Sequence, residues 1–395
     1  MDETIVEAEE EQQEEQEEED EWVELPSPDG AIPVSSFGEI WGYLVGGQER
    51  ALIPGIPLTD VVYHSADVSP YGKLRGVPNP KNITRFTGRI HMDVMCNGTT
   101  LSHFVLRPGS AERKELIADL LAAARNFDGL QIDFENVPER DGDNFLSFLA
   151  ELRAGLGDKM FTIALPARAK TTSSNWYHYA AIKPLVDRIL LMAYDEHWSG
   201  SAPGPIASMA WCKSVANYAL QVIGPEKLIM GLPFYGRAWG NKTTSQAYIY
   251  PTIERIQKEN GVTEIRRVNG IPTFDYEVPV SVKVYYEDEY SLGARLDMYR
   301  SLGVDSVGFW RLGQETRAVW GLLKINTVIQ SSNGDISELG TRENPFDWSS
   351  LSRQLASAPS LPREGTSIYV KLPSGKVRLV RRGEITWTKT EYARR

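Results

Sequence analysis

Three polar side chains alternate with large apolar residues in a short stretch that begins at Asp128. The stretch reads Asp-Gly-Leu-Gln-Ile-Asp-Phe-Glu, so Gln131, Asp133 and Glu135 occupy every second position. Alternate side chains of a β-strand face opposite sides, and these three therefore share one face. Two carboxyls about 6.6 to 7 Å apart along a strand cannot both ionise cheaply in an enclosed space. We expect one of them to keep its proton near neutral pH and to act as a general acid.

The strand that carries these acids belongs to a recurring pattern. Eight apolar, β-rich runs occur between residues 38 and 312, and most are followed by a stretch with helical periodicity. Eight such units predict an α/β fold with a closed (β/α)8 barrel rather than an open doubly wound sheet. The predicted strands are Ile40 to Val45, Asp60 to Ala66, Arg89 to Met95, Gly129 to Glu135, Met160 to Pro166, Arg188 to Tyr194, Lys227 to Pro233 and Asp305 to Trp310. The clearest predicted helices are Ala111 to Arg125, Asp143 to Leu156, Met209 to Val222 and Ser291 to Leu302.

The rest of the chain divides around this barrel, which we place at residues 36–330. The interval after the seventh strand is too long for a plain crossover and predicts a small α+β insertion at about 240–288. Residues 1–30 read as an acidic disordered leader. Residues 331–362 read as a linker, and 363–395 as a small basic β-hairpin appendage, with alternating runs on either side of a Pro-Ser-Gly turn.

Charge is distributed unevenly along the chain. The net charge is −11, but residues 1–24 contain 14 Asp or Glu and no Lys or Arg, which leaves +3 for the remainder. A solvated spacer is the simpler interpretation of the acidic segment, and a binding tail is the alternative. From residue 361 onward nine Lys or Arg stand against three Glu, which fits either an anionic polymer or ordinary surface charge.

Composition argues against several classes of protein. An apolar content of 42% supports a large folded core. No apolar run is long enough to span a membrane, and the chain as given does not start with a secretion signal. We find no phosphate loop, nucleotide fingerprint or metal-ligand spacing, so we expect no cofactor, no metal and no nucleic-acid partner. Cys96 and Cys212 are too few for a disulfide framework, and we expect buried thiols or at most one bridge.

Acids that point into a barrel call for an explanation, because parallel barrel strands are normally apolar on both faces. At the C-terminal end of a strand that explanation is usually catalysis. The structural alternative is that Asp133 and Glu135 are ion-paired or hold a metal, but their own strand offers no Arg, Lys or His.

The residues of this strand resemble the signature of glycoside hydrolase family 18, the chitinase-like enzymes, Asp-x-x-Asp-x-Asp-x-Glu at the fourth barrel strand. Asp128, Asp133 and Glu135 match it, and Gln131 departs from it at the second Asp. The amide at this position, together with the sequence FENVP after the strand and APGPIAS further on, resembles the branch of bacterial spore-germination and cortex-lytic N-acetylglucosaminidases.

Further motifs extend the resemblance over most of residues 38–315. LLMAYDEH at the sixth strand is similar to the family's Met-x-Tyr-Asp and contains Tyr194 and Asp195. GLPFYGRAW at the seventh strand contains Tyr235 and Arg237, and SVGFWRLG at the eighth contains Trp310.

The resemblance implies a substrate-assisted retaining mechanism, in which the 2-acetamido group of the substrate is the nucleophile. Glu135 would then be the acid and base, Asp133 would orient the acetamido N–H, and Tyr194 would bind its carbonyl oxygen. Asp195 and Arg237 would contact sugar hydroxyls, with Gln131 and Tyr235 also in the binding site and Asp128 as a structural part of the motif.

Several tryptophans fall at or just after the C-terminal ends of predicted strands and should surround one opening. We expect Trp310 to be the apolar floor on which a sugar ring packs. Trp198 and Trp239 fit either sugar binding or the anchoring of loops. Trp41, early in the first strand, fits the core.

Two functions of different classes remain open at this point. The first is hydrolysis of a polymer that contains β-linked N-acetylglucosamine, either peptidoglycan glycan strands or chitin-like oligosaccharides. The second is a lectin-like barrel that binds such sugars without cleaving them, although relatives of that kind commonly lack the acid found here as Glu135. The mode of cleavage, endo or exo, is open as well. We expect a monomer, and the substrate implies the cell envelope or the extracellular space.

Gln131 also has two interpretations. Its amide could donate to Asp133 and favour the charged form of that carboxyl, which an Asp at position 131 could not do in the same way. Alternatively, Gln131 is a passive polar residue without a kinetic role.

Overall fold

The central element of the structure, a computed structural model, is a closed barrel of eight parallel strands. The first strand pairs with both the second and the eighth, which closes the sheet. The strands are β1 (Glu39–Val45), β2 (Asp60–Val68), β3 (Arg89–Asn97), β4 (Gly129–Glu135), β5 (Met160–Pro166), β6 (Arg188–Met192), β7 (Leu228–Pro233) and β8 (Ser306–Trp310). The structure describes residues 32–171, 177–240, 246–278 and 280–326, and the short strands 346–347, 367–371 and 377–381. The predicted (β/α)8 barrel is confirmed, with each strand within three residues of its expected bounds.

Helices connect the strands and cover the outside of the barrel. Three of them have side-chain N-caps: Ser110 accepts from the backbone N–H of Arg113, Ser208 from that of Trp211, and Asp288 forms a capping box with Ser291. The α-helices are α1 (Thr99–Leu106), α2 (Ala111–Ala124), α3 (Gly142–Leu156), α4 (Tyr179–Ile182), α5 (Met209–Val222), α6 (Tyr250–Glu259) and α7 (Glu289–Ser301). The four helices expected from periodicity are among them. No described helix has the length and apolarity needed to cross a membrane.

Short elements complete the barrel. Two strands at its ends, Ser35–Phe37 and Leu323–Ile325, pair in parallel with each other, and Leu74–Arg75 pairs with the end of β2. The 3-10 helices are Glu49–Ala51, Pro80–Asn82, Glu139–Asp141, Lys183–Leu185 and Arg317–Leu322.

An insertion of mixed α and β structure lies between β7 and α7, as the sequence predicts. It is an antiparallel five-stranded sheet with α6 packed beside it. It begins at Tyr235, directly after β7, and is therefore slightly larger than expected. In sheet order its strands are Gln246–Ile249, Tyr235–Gly240, Val280–Tyr285, Ile271–Val278 and Arg266–Val268.

The C-terminal hairpin is present where alternation predicts it. Strand Ser367–Lys371 pairs antiparallel with Val377–Arg381. A third short strand, Phe346–Asp347, pairs with the first of these and falls inside the segment expected to be a linker. The acidic leader, most of the linker and the Pro-Ser-Gly turn lie outside the described residues.

The barrel interior is polar at the bottom, apolar in the middle and acidic at the top. At the bottom, Glu39 accepts from Arg89 and Arg188, while Asp60 accepts from Arg89 and binds His91. The middle layer consists of Trp41, Tyr43, Val62, Ala164, Leu190 and Ile229, all buried. Trp41 is fully buried, in agreement with its expected place in the core. Because this interior is filled, only the C-terminal ends of the strands can form a site.

Both cysteines are buried free thiols and do not form a bridge. Burial raises the pKa of each thiol to about 11.

Candidate active site

The inner face of β4 carries the acids that the sequence singles out. Phe134 points outward, where its ring lies 5.4 Å from that of Phe148 on α3. Gln131 is fully buried and Asp133 is 4% exposed, both on the opposite face, whereas Glu135 is half-buried at the end of the strand. A pair of adjacent aromatic rings stabilises the folded state by about 1 kcal/mol beyond the effect of its buried area. This packing helps to determine which face of β4 turns inward.

The pKa values of both carboxyls of β4 are shifted upward. The pKa of Asp133 is raised well above its usual value, first by burial and then by the charges of Asp93 and Glu135. The pKa of Glu135 is also raised, by burial and then by Asp195, with His64 acting in the opposite direction. A carboxyl that retains its proton near neutral pH, at the open end of the barrel, can serve as an acid.

Tyr194 follows β6 and stands beside these acids. Burial and the charge of Asp133 raise the pKa of its phenol well above 10, so the hydroxyl is a neutral hydrogen-bond donor at physiological pH. A glycine on the next strand leaves space for its ring: a Cβ added at Gly231 would lie 3.0 Å from Cε1 of Tyr194 and 2.5 Å from the carbonyl oxygen of Leu191. The close packing of β7 against β6 thus determines where the phenol can lie.

Asp195 is held by two residues of the insertion. Oδ1 of Asp195 accepts from the hydroxyl of Tyr235 at 2.5 Å and from Nη2 of Arg237 at 3.0 Å. Its backbone has a positive φ of 57°, which non-glycine residues adopt infrequently. The side chain remains 44% exposed. Since its charge also raises the pKa of Glu135, Asp195 links the insertion to the acid.

The tryptophans occupy different environments. Trp310, at the end of β8, packs edge-on against Tyr43 and His64, with ring centroids 5.2 and 4.7 Å apart, and is half-buried. Trp198 is 55% exposed in the loop after β6, whereas Trp239 is 7% exposed and its Nε1 donates to the carbonyl of Ser201. Trp239 therefore holds the loop that carries Trp198.

Gln131 bonds to β1 rather than to Asp133. The hydroxyl of Tyr43 donates to Oε1 of Gln131 at 2.5 Å. Among the described residues, neither Nε2 of Gln131 nor Oδ1 of Asp133 has a hydrogen-bond partner. The expected hydrogen bond from the amide to Asp133 is thus not formed, because Tyr43 reaches the amide from across the barrel. Full burial also places Gln131 beneath the binding surface.

Asp128 lies at the opposite end of β4. Its Oδ2 accepts from the backbone N–H of Ile90 at 2.8 Å, which joins the starts of β3 and β4. After the strand, the hydroxyl of Tyr177 donates to the carbonyl of Phe134 at 2.7 Å and accepts from the N–H of Val137 at 3.0 Å. The side chain of Tyr177 therefore holds one backbone group on each side of Glu135.

Two residues near the acids were not identified from the sequence, the fully buried Asp93 on β3 and the partly buried His64 on β2. Oδ2 of Asp93 and Nδ1 of His64 are hydrogen-bonded at 2.5 Å. The alternation that identified β4 was present in β3 as well, because Arg89, His91 and Asp93 occupy every second position. Asp93 could have been found from that pattern, but its distance to Asp133 could not.

His64, Asp93 and Asp133 also form a cluster in which one potential ligand atom of each lies within 4.8 Å of the others. The donor set does not favour a divalent cation. Nδ1 of His64 is already engaged by Oδ2 of Asp93, so coordination of a cation through that nitrogen would break this hydrogen bond. The arrangement is better described as a hydrogen-bonded pair of His64 and Asp93 beside the carboxyl of Asp133.

Next to His64 a groove of about 520 Å³ opens at the C-terminal ends of β1 and β2. Its walls combine backbone at Gly46 and Gly47 with polar side chains that include Glu49, Asn79 and Asn82. The size is within the range of small-molecule sites, and the polar walls suit a hydroxylated ligand.

Comparisons with known proteins agree with this geometry. The sequence profile described as Glycosyl hydrolases family 18 matches residues 40–315. The glycosylase YdhD of Bacillus subtilis (strain 168) is 30% identical over 247 residues, which cover 58% of this chain and 58% of that protein. The cortical fragment-lytic enzyme of Bacillus anthracis is 25% identical over 244 residues, which cover 58% of this chain and 56% of that enzyme. The chain thus spans somewhat more than half the length of these relatives.

Solved structures share the fold. The spore cortex-lytic enzyme SleL of Bacillus cereus superposes with a TM-score of 0.67 and 21% sequence identity, and the match covers 76% of this chain and 77% of SleL.

Proposed function

This chain belongs to family 18 of the glycosyl hydrolases, and from that membership we propose that it hydrolyses a polymer containing β-linked N-acetylglucosamine. The observation that carries the proposal is the position of Glu135, a half-buried carboxyl with a raised pKa at the open end of the barrel, two residues beyond Asp133 and close to Tyr194. A barrel that only binds sugars does not need a carboxyl with a raised pKa at its open end.

Protonation of the leaving group begins the reaction. Glu135 donates its proton to the glycosidic oxygen while the carbonyl oxygen of the substrate's 2-acetamido group attacks C1. The C1–O bond to the leaving sugar breaks, and a cyclic oxazolinium ion forms. Glu135, now ionised, then takes a proton from water as that water attacks C1, which opens the ring with retention of configuration and restores the acid.

Asp133 and Tyr194 prepare the nucleophile. The carboxyl of Asp133 accepts from the acetamido N–H and balances the positive charge that develops on the ring, and the neutral phenol of Tyr194 donates to the carbonyl oxygen. Together they hold the acetamido group beneath C1, which lowers the entropy cost of the attack. In this proposal Trp310 is the floor for the sugar ring, and the Asp195, Tyr235 and Arg237 group contacts its hydroxyls.

We further propose that the preferred substrate is peptidoglycan. Support comes from relatives that include a cortical fragment-lytic enzyme, from the structural likeness to a spore cortex-lytic enzyme, and from the FENVP and APGPIAS segments. Other relatives include a chitinase 2 of Drosophila melanogaster, which keeps chitin as the competing substrate.

Digestion of both polymers by the purified protein tests the function. We expect new reducing ends at N-acetylglucosamine residues, identified by mass spectrometry, and faster release from peptidoglycan glycan strands than from chitin oligomers. Binding of both polymers without any new reducing end would show a lectin-like protein instead.

A further inference from the structure

The carboxyl missing at position 131 has a counterpart on the neighbouring strand. β3 and β4 run parallel with Asp93 directly opposite Gln131. Residues in register on adjacent strands turn their side chains to the same face of the sheet, so Asp93 enters the barrel at the height of Gln131. Asp93 is 0% exposed.

The surroundings of Asp93 are those of a carboxyl that exchanges a proton. One oxygen of Asp93 lies within 4.8 Å of one oxygen of Asp133. Each of these carboxyls keeps a buried Oδ1 that has no hydrogen-bond partner among the described residues. Such contacts are often long in a free enzyme and tighten when substrate binds, so a small rotation of either side chain can bring the two together.

His64 is placed to hold Asp93. The pairing of β2 with β3 shifts register between Tyr63 and Ala66, and His64 lies in that irregular stretch. It contacts Asp93 through Nδ1 and the edge of Trp310 through its ring. His64 thereby connects Trp310, at the floor of the site, to the buried carboxyl of Asp93.

We propose that Asp93 is a positioning residue that shares one proton with Asp133, and so supplies from β3 the second carboxyl that the family signature places at position 131, with His64 fixing its orientation. This inference rests on the proposed function. During formation of the oxazolinium ion the proton on Asp133 passes to Asp93, which leaves Asp133 negatively charged beside the cation. When water opens the ring, the same proton returns from Asp93 to Asp133, so the pair holds one proton throughout.

The electrostatics of the pair are consistent with one shared proton. Burial raises the pKa of Asp93, opposed by the hydrogen bond from His64, and Asp93 is the leading charge that raises the pKa of Asp133. Two coupled carboxyls titrate as a unit, with a first pKa below and a second above that of either alone. The titratable groups around Asp93 are His64 and Asp67 on β2, Tyr43 on β1, Asp133 and Glu135 on β4, and Tyr194 after β6.

The test moves the carboxyl from one strand to the other. Asp93→Asn keeps the shape but leaves Asp133 without a proton acceptor. We expect kcat on a soluble N-acetylglucosamine oligomer to fall roughly 10- to 100-fold with little change in KM, and the acidic limb of the rate profile to move to higher pH. The double variant, Asp93→Asn with Gln131→Asp, should recover most of kcat and return the limb towards the wild-type position.

Two further variants separate proton sharing from packing. Asp93→Asn with Gln131→Asn changes the same two positions without restoring a carboxyl, and it should not recover activity. His64→Phe keeps a ring against Trp310 but loses the bond to Asp93; it should lower kcat in the wild-type background and much less in the double variant. Thermal unfolding and oligomer binding of every variant show whether the fold is intact.

Different results would overturn the inference. Asp93→Asn with unchanged kcat and pH profile would show that the carboxyl has no role. Movement of the acidic limb to lower pH would show that Asp93 is only a like-charged neighbour of Asp133. Absence of rescue in a folded double variant would show that Asp93 does not take the place of the Asp that the family signature has at position 131. A wild-type protein that cleaves no N-acetylglucosamine polymer would instead remove the proposed function itself, a result distinct from all of these.

Discussion

The hydroxyl of Tyr43 lies 2.5 Å from Oε1 of Gln131, and this hydrogen bond joins the first and fourth strands through the inside of the barrel. A carboxylate at position 131 would accept the same bond, so Tyr43 does not distinguish the amide from an acid. Compared with an Asp at position 131, the amide of Gln131 lacks a titratable group next to Asp133. Apart from burial, the pKa of Asp133 is therefore raised by Asp93 on β3 and by Glu135 on its own strand.

Replacement of Glu135 by Gln should abolish turnover without abolishing sugar binding. The amide has the shape of the carboxyl but no proton to donate, so we expect kcat to fall by at least roughly 10²- to 10⁴-fold. Release of reducing ends measures turnover, and calorimetric titration with an oligosaccharide measures binding. Near-normal hydrolysis by the variant would remove Glu135 from its assigned role.

Cleavage should require the N-acetyl group of the substrate, because that group is the nucleophile in the proposed mechanism. Fully deacetylated polymer should remain intact, and a thiazoline that mimics the cyclic intermediate should inhibit, as ligands resembling the transition state do. Rates on acetylated and deacetylated oligomers of equal length provide the comparison. Rapid cleavage of the deacetylated oligomer would count against substrate assistance.

Replacement of Asp195 by Asn should move the basic limb of the kcat/KM profile to lower pH. That limb reports loss of the proton from Glu135 in the free enzyme, and Asp195 is the leading charge that raises the pKa of Glu135. Tyr235→Phe is the matched control, since it loses one hydrogen bond to Asp195 but leaves the charge in place. An equal shift in both variants would mean that the position of the Asp195 side chain, rather than its charge, determines the pH of the basic limb.

At the bottom of the barrel, Glu39→Gln should lower the free energy of unfolding by about 3 kcal/mol at neutral pH, because it removes the carboxylate that pairs with Arg188 and one of the two that pair with Arg89. Burial alone would raise the pKa of Glu39, but Arg188 and Arg89 lower it from 4.5 to about 2. A depressed pKa stabilises the fold above the unfolded-state value and loses this contribution as pH falls from about 4.5 to about 2. The difference between variant and wild type should therefore shrink over that range.

Urea unfolding at several pH values measures this difference. Glu259→Gln serves as the control, since Glu259 pairs with Arg255 on the exposed face of α6, with both side chains more than half exposed. Such a pair contributes about 0.5 kcal/mol or less, so this variant should stay close to wild type. An effect of Glu39→Gln no larger than that of the control would show that the bottom network does not stabilise the barrel.

The sequence predicts the fold and part of the site for a simple physical reason. The alternation in β4 specifies which residues enter the barrel, and it correctly turned Asp133 and Glu135 inward. Proximity across strands is a different matter, because it depends on register. Asp93 meets Gln131 only through the offset of β3 against β4, and His64 reaches Asp93 through an irregular stretch in β2. Neither feature has a local sequence signal.

Trp239 shows a second limit on what the sequence alone can predict about the site. Its position after the seventh strand suggested sugar binding or loop anchoring equally, since both place an indole near the opening. The carbonyl of Ser201 that its Nε1 contacts is 38 residues away in the chain. A hydrogen bond to a backbone group leaves no residue-type preference at the partner position, so the sequence could not decide between the two.

The hydrogen bonds of Tyr177 have a consequence for the timing of catalysis. Because its hydroxyl holds the backbone on both sides of Glu135, the Cα of that residue is a fixed pivot. In the proposed mechanism the carboxyl gives a proton to the departing sugar and later takes one from water, and between the two it has to travel only as far as rotation about its own side-chain bonds carries it. Such rotations take picoseconds to nanoseconds in exposed side chains, and Glu135 is only half-buried. In the proposed mechanism the reorientation of the acid is then fast compared with turnover, and we expect bond breaking or product departure to be the slow step.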